Sequence, residues 1–208
     1  MGRKISVADL REIHEEHIRW LSTVGEEGRC ANLCEAKLSG IKLNQVNLSK
    51  ANMSNVDLSS ANLWGLILKS TNLKGANLRG TYMLSGTDLT GADMSEADLT
   101  KANLSNAKLG NVKLIKSNLY KTKLNGANLS GADLSNADLS KTKLNKTKLS
   151  GANLQNACLI GANLKDAGDL TIEQLSKVKT LYKSKLDSEL MEQVKEKCPH
   201  LLEKIKTI

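Results

Sequence analysis

The side chains in this sequence with the means to do chemistry are three histidines, four cysteines, a set of aspartates and a lysine-dense stretch. His14 and His17 precede Cys30 and Cys34, and a Cys2His2 set of that kind can hold zinc. The four cysteines, which include Cys158 and Cys198, follow neither a zinc-type nor a disulfide-type spacing. Free thiols are therefore the expectation. Asp57, Asp88, Asp93, Asp98, Asp133 and Asp138 recur at one position of a repeat and do not form an acid–base pair. A glycine-rich phosphate loop is absent. The residues thus predict no catalytic, cofactor-binding or metal site, and a chain that is not an enzyme.

The lysines are different. Residues 101–150 hold ten lysines and two acids, a formal excess that equals the +8 of the whole chain. Two Lys-Thr-Lys triplets, 121–123 and 141–143, stand twenty residues apart. Whether these charges meet depends on the elements that carry them.

Those elements follow from a period of five. Leucine or methionine returns at every fifth residue from Leu33 to Met83 and from Leu89 to Leu164, 27 centres in all. A step of five turns a helix by about 140°, so no apolar stripe forms, and on one continuous strand it alternates faces. The rest of the unit resolves the conflict. Two residues before the centre stands Ala, Ser or Thr in 22 of 27 units, and the residue between is Asn or Asp in 17. Ala127-Asn128-Leu129 is thus a short in–out–in strand, and Ser130-Gly131 is a corner. A chain that turns every five residues must coil, and four corners close a coil of twenty. The expected fold is an all-β solenoid, a quadrilateral parallel β-helix of about seven coils, roughly 32 Å long at the usual strand spacing. The frame slips by one residue at 84–86.

Residues twenty apart then share a column. Lys101, Lys121 and Lys141 stack at one corner, Lys123 and Lys143 beside them, and Lys146 and Lys148 continue the ridge around the next corner. Such a ridge suits phosphate or an acidic protein, or it simply solvates the rod. Scarce aromatics oppose stacking of single-stranded bases. The absence of a recognition helix opposes sequence readout. A second candidate is apolar: Trp64, Ile67, Tyr82 and Leu84 fall near the slip and would share one exposed patch, the mark of a partner site. The alternative is that the extra residue folds them over one another.

The chain divides into residues 1–30, a helix and linker capped by Ser6 with Asp9; residues 31–167, the repeat; and residues 168–208, helical turns starting near Thr171, Asp187 and Pro199. Both flanks are expected to cap open ends of the solenoid, and the C-terminal helices could also mediate a homodimer. No apolar run is long enough to span a membrane, no signal peptide or lipid anchor is read at the N-terminus, and unpaired thiols point to the cytoplasm.

Units such as Ala132-Asp133-Leu134-Ser135-Asn136 and Ala152-Asn153-Leu154-Gln155-Asn156 resemble the A-(D/N)-L-x-x consensus of pentapeptide-repeat proteins. The flanks around His17-Ile18-Arg19-Trp20-Leu21 and Leu170-Thr171-Ile172-Glu173-Gln174-Leu175 are similar to those of bacterial members. The resemblance implies a right-handed coil. It also implies a non-enzymatic scaffold or protein-interaction rod with an unidentified protein partner and no cofactor. The alternatives are gyrase protection by DNA mimicry, and binding of nucleic acid or another polyanion through the lysine ridge. The net positive charge and the lack of Phe depart from the DNA mimics. Nucleic acid is not the favoured partner either, given the scarce aromatics and the absence of a recognition helix.

Overall fold

The fold comes from a computed structural model that describes residues 3–84 and 86–204. Ser85, within the expected slip, and Ile205, within the expected last turn, lie outside the described residues.

Parallel bridges join residues twenty apart along four columns, which begin with Asn32↔Asn52, Lys37↔Asp57, Lys42↔Asn62 and Asn47↔Ile67. We number the faces 1 to 4 in that order. Each unit contributes two kinds of ladder bond. Leu33 N–H donates forward to Asn52 C=O at 2.7 Å, and Asn52 N–H donates back to Ala31 C=O at 2.9 Å. The large centre and the small residue two before it both point inward. Leu129 and Ala127 are fully buried, as are nearly all their equivalents. Where Thr takes the small position its hydroxyl cannot stay unpaired in a dry core. Thr122 donates to Leu99 C=O at 2.7 Å and Thr142 to Leu139 C=O at 2.7 Å.

The corners explain the remaining two residues of each unit. The centre carbonyl accepts from the N–H three residues on, as in Ala36 to Leu33 at 3.1 Å. The third residue of that turn has positive φ, 57° at Glu35 and 69° at Gly131, the signature of a type II turn. The same residue is left-handed at all 27 corners, so the turn type is a property of the coil. The Asn and Asp preference has an equally local cause. Every one of the 17 outward Asn or Asp side chains accepts, through Oδ1, the N–H of the residue two ahead, as Asn128 does from Ser130 at 3.0 Å. That corner N–H points outward and has no ladder partner, so the side chain supplies one.

The one-residue slip moves one turn. After Met83 the corner closes from Leu84 C=O to Thr87 N–H at 3.1 Å, and the bridge spacing becomes 21 from Ile67↔Asp88 to Tyr82↔Asn103. Gly86 has φ 97°, and a Cβ there would lie 3.5 Å from the Gly65 Cα.

At the N-terminal end, β1 (Arg3–Lys4) pairs in parallel with β2 (Ala36–Lys37), which adds a strand to the first edge of face 2. Helix α1 (Val7–Ser22) follows, with a Ser6–Asp9 capping box. Leu10 and Ile13 pack on the end of the core. On face 1 the open Ala31 N–H is taken by His17 Nδ1 at 3.0 Å. At the other end, the ladder runs past residue 167. Cys158 bridges Thr180, and Asn163 bridges Lys185, both 22 apart, because the short helix α2 (Ile172–Leu175) replaces one face. Helix α3 (Ser188–Lys197) and a 3-10 turn (Pro199–Leu202) then cover the end, with Val194 and Leu201 buried. Segment 168–204 is thus part coil and part helix.

Candidate functional site

Ten of the 27 outward positions lack the Asn or Asp that caps the corner N–H, and these departures are not scattered at random in character. Lys fills seven of them, five within 108–148. Ile67 and Tyr82 fill two more, next to each other across one edge. An uncapped N–H exposed to water forgoes a bond worth about 1 kcal/mol, so these side chains occupy their places at some cost to the coil.

Face 3 holds four of the ten, more than any other face. Its column reads Lys42, Asn62, Tyr82, Asn103, Lys123, Lys143, Asn163 and Lys185, with no acid at any level. The corner between faces 2 and 3 carries Arg79 and, stacked in one column above Gly80, Lys101, Lys121 and Lys141, held by Gly80 N–H to Thr100 C=O, Lys101 N–H to Tyr120 C=O and Lys121 N–H to Ser140 C=O at 3.0 Å each. That corner is acid-free as well. The structure therefore brings Lys101, Lys121, Lys141, Lys123 and Lys143 together. It sets Lys146 at the corner between faces 3 and 4 and Lys148 on face 4, above Asn128. All seven are exposed. Among the described residues none of them has a carboxylate within 4.0 Å.

Sequence reasoning missed two members of this surface. Gly161 N–H donates to Tyr182 C=O at 2.8 Å, which places Lys183 in the corner column, and Lys185 pairs with Asn163 on face 3. Tyr182-Lys183-Ser184-Lys185 repeats Tyr120-Lys121-Thr122-Lys123 with an offset of 62. The insertion of α2 breaks the twenty-residue count and hides the match. The local tyrosines hold the ammonium groups alike. Lys121 and Lys141 lie 5.1 and 5.5 Å from the Tyr120 ring centroid, and Lys183 lies 5.2 Å from that of Tyr182. Lys141 also donates to the Tyr120 hydroxyl at 3.3 Å, which with Lys121 draws that phenol below its ordinary value.

The acids lie elsewhere, and three of them form ion pairs. Asp88 on face 4 pairs with Lys69 at 3.4 Å, Glu96 with Lys74 at 3.3 Å, and Asp98 on face 2 with Arg79 at 2.8 Å. Burial pushes the Asp88 carboxyl up, but the Thr90 hydroxyl and N–H and the Lys69 ammonium outweigh it and hold the group below its ordinary value. Asp93 and Asp98 are lowered in the same way. Lys113 stands between Asp93 and Asp133 in its column, yet without an ion-pair contact under 4.0 Å.

The apolar candidates sit at the edge where face 3 meets face 4. Tyr82 is on face 3, Ile67 on face 4, and Trp64 and Leu84 at the corner between them. Trp64 is 44% exposed, Tyr82 55% and Leu84 36%, while Ile67 is half-buried. Trp64 and Tyr82 show no ring contact with each other among the described residues.

The histidine and cysteine candidates are dispersed. Cys30 donates to Lys50 C=O at 3.4 Å, and Cys34 accepts from the Ser54 hydroxyl at 3.2 Å. Four free thiols and no metal-capable cluster are found among the described residues. His17 is fully buried and stacks on Trp20, 5.7 Å between centroids. Burial lowers its pKa, offset in part by the Ser49 backbone and reinforced by His14. A 310 Å³ concavity beside α1 is lined by Asp9, Glu12, Glu16, Arg29 and Cys30, and lacks any arrangement of nucleophile and base. No helix among the described residues is long and apolar enough to cross a membrane.

Several solved structures are similar to this chain. QnrB1, a plasmid-mediated fluoroquinolone resistance protein, is 19% identical and covers 77% of this chain and 95% of its own, with a TM-score of 0.49. HetL, a pentapeptide repeat protein involved in heterocyst differentiation regulation in the cyanobacterium Nostoc sp. strain PCC 7120, is 30% identical over 76% of this chain and 77% of its own, with a TM-score of 0.34. A pentapeptide repeat protein of the Arabidopsis thaliana thylakoid lumen is 29% identical over 66% and 70%, with a TM-score of 0.17. No curated protein sequence matches the chain. The family described as pentapeptide repeats matches residues 29–65, 59–106, 84–114, 113–151 and 127–166, an unbroken run over most of the laddered coil, and the chain belongs to that family.

Proposed function

We propose that this chain is a non-enzymatic interaction rod of about seven coils, closed at both ends by helical segments, which holds a protein partner on the edge between faces 3 and 4. The observation that carries this reading is the exposed set at the slip. Trp64, Tyr82 and Leu84 are the large hydrophobic side chains that the described coil leaves in water, the others, Val7, Ile18 and Val24, lying on or beside α1. Tyr82 and Ile67 also displace the Asn or Asp that would cap a corner N–H. Apolar side chains kept exposed at a cost to the coil mark a partner site. A stacked core of this kind presents such a site rigidly, so little ordering entropy is lost on docking. Four free thiols fit a reducing, cytoplasmic setting.

The C-terminal helices add little to this surface. Leu190, Met191 and Leu202 pack on the core end, and no large hydrophobic side chain from 168–204 is exposed. DNA mimicry is the second reading, which the resemblance of the repeat to pentapeptide-repeat proteins implies. It is opposed by the net +8 and by the pairing of Asp88, Glu96 and Asp98 with cations.

The test is co-purification from the native host. A partner recovered in stoichiometric amount with the wild-type chain should be lost with W64S, Y82N and L84S together and retained with N52A and N72A on face 1. Retention by the triple variant with an unchanged melting temperature would overturn the proposal.

A further inference from the structure

The exposed charge of this molecule is segregated by face, and the segregation extends further than the repeat. Face 3 and the corner before it contain no acid from Lys42 to Lys185, while Asp and Glu occur on faces 1, 2 and 4 or at other corners. The cations there stand in two adjoining columns, Lys101, Lys121, Lys141 and Lys183 at the corner and Lys123, Lys143 and Lys185 on the face. Like charges stacked on neighbouring strands repel, and a ladder built for stability alone would alternate signs, as Asp93, Lys113 and Asp133 do on face 1. The C-terminal coil restores the pattern after the neutral Gly161 and Asn163, although its sequence is offset by α2.

From this we infer that face 3 and its leading corner form a docking surface for an acidic helical segment of a protein partner, laid along the rod axis. The inference rests on the reading of the chain as a protein-interaction rod, and it names the chemistry of the partner. The pitch supports a helix. Successive coils rise by roughly 4.8 Å, and one α-helical turn rises by about 5.4 Å. A row of carboxylates three and four residues apart therefore stays opposite one lysine column. From the level of Lys101 to that of Lys183 is four steps, roughly 19 Å, which about thirteen helical residues span. The accumulated mismatch of about 2 Å is within the reach of a flexible lysine stem. A DNA duplex fits less well. Its backbone winds once in about 34 Å, so each strand crosses the lysine columns obliquely and does not follow them. The aromatic edge at Tyr82 lies two levels beyond Lys123 on the same face, and an apolar side chain at the end of the acidic helix would meet it.

The experiment uses the full chain and a fluorescein-labelled peptide of about twenty residues with glutamates on one helical face. A peptide of the same composition in scrambled order and a short DNA duplex are the comparison probes, all at low salt. The aligned peptide should bind more tightly than either. Lys121→Glu with Lys141→Glu, and separately Lys183→Glu with Lys185→Glu, should each weaken it by roughly tenfold. Lys113→Glu with Lys116→Glu, the same charge change at face 1, should change it little. The Lys→Gln versions of these pairs and a melting curve guard against loss of fold. Tighter binding of the duplex, equal weakening by the face 1 pair, or no binding of the peptide overturns the inference. A host partner that is lost from the Trp64, Tyr82 and Leu84 variant but indifferent to every lysine reversal overturns it too, and leaves the rod reading intact.

Discussion

The Ala31 N–H donates to Nδ1 of His17 at 3.0 Å, so the first strand edge of face 1 is closed by a neutral imidazole on a helix. The bond needs a lone pair on Nδ1, and a protonated ring has none. His17 is buried against Trp20, and burial holds its pKa below the usual value. The unfolded chain takes up this proton near the ordinary imidazole value of about 6.5, the folded chain only at lower pH. The unfolded state therefore binds more protons in between, and stability falls as the pH drops below that value.

The expected outcome is loosening of α1 on mild acidification. In a Trp64→Tyr background, which leaves Trp20 as the sole indole, fluorescence should change cooperatively below about pH 6.5, and His17→Gln should move or abolish the transition. A flat profile from pH 7 to 5 would refute the assignment. Asp88, Asp93 and Asp98, whose pKa values are lowered, add stability that is present above the carboxylate range and lost at more acid pH.

The inward and outward positions should differ sharply. Leu129→Asp places a charge in a fully buried column and should unfold several coils. Asn128→Ala removes only the bond to Ser130, about 1 kcal/mol. Equal losses of melting temperature would sink the placement of these two side chains.

The converse substitution should stabilise. Lys143→Asn supplies the missing cap for the Asn145 N–H and removes a like-charge neighbour of Lys123, so a gain of about 1 kcal/mol is expected. A thermal melt that shows a loss would mean the lysine column is held by contacts other than those found.

DNA mimicry requires a continuous negative surface, and here Asp88, Glu96 and Asp98 are paired with cations while face 3 carries no acid. No inhibition of gyrase supercoiling at micromolar concentration is expected. Inhibition that persists without the terminal helices would falsify this reading.

Duplex DNA is expected to bind weakly or not at all near physiological salt. If Lys101, Lys121, Lys123, Lys141 and Lys143 all met phosphates, the log–log salt slope would be about −4 to −5. A sub-micromolar complex with that slope, abolished by Lys121→Glu with Lys123→Glu, would move the protein into the nucleic-acid-binding class.

Much of this molecule was legible in its residues, because the repeat is enforced locally. Each unit specifies its own corner through a left-handed residue and its own cap through an Asn or Asp Oδ1, so the fivefold period of Leu33 to Leu164 determines the coil and every column within it. The stacking of Lys121 on Lys141 follows by counting twenty. Where contacts are not local, counting fails. Nothing in Arg3–Lys4 announces a strand, since its partner Ala36–Lys37 is chosen by the docking of α1. Lys183 and Lys185 join the basic face only because α2 takes the place of one strand and the chain re-enters the ladder 22 residues on. The exposure of Trp64 and Tyr82 was decided in the same way, by how the extra residue at Leu84 redirects one turn. Short-range backbone geometry wrote the rod into the sequence, and packing between distant segments decided which side chains share its working face.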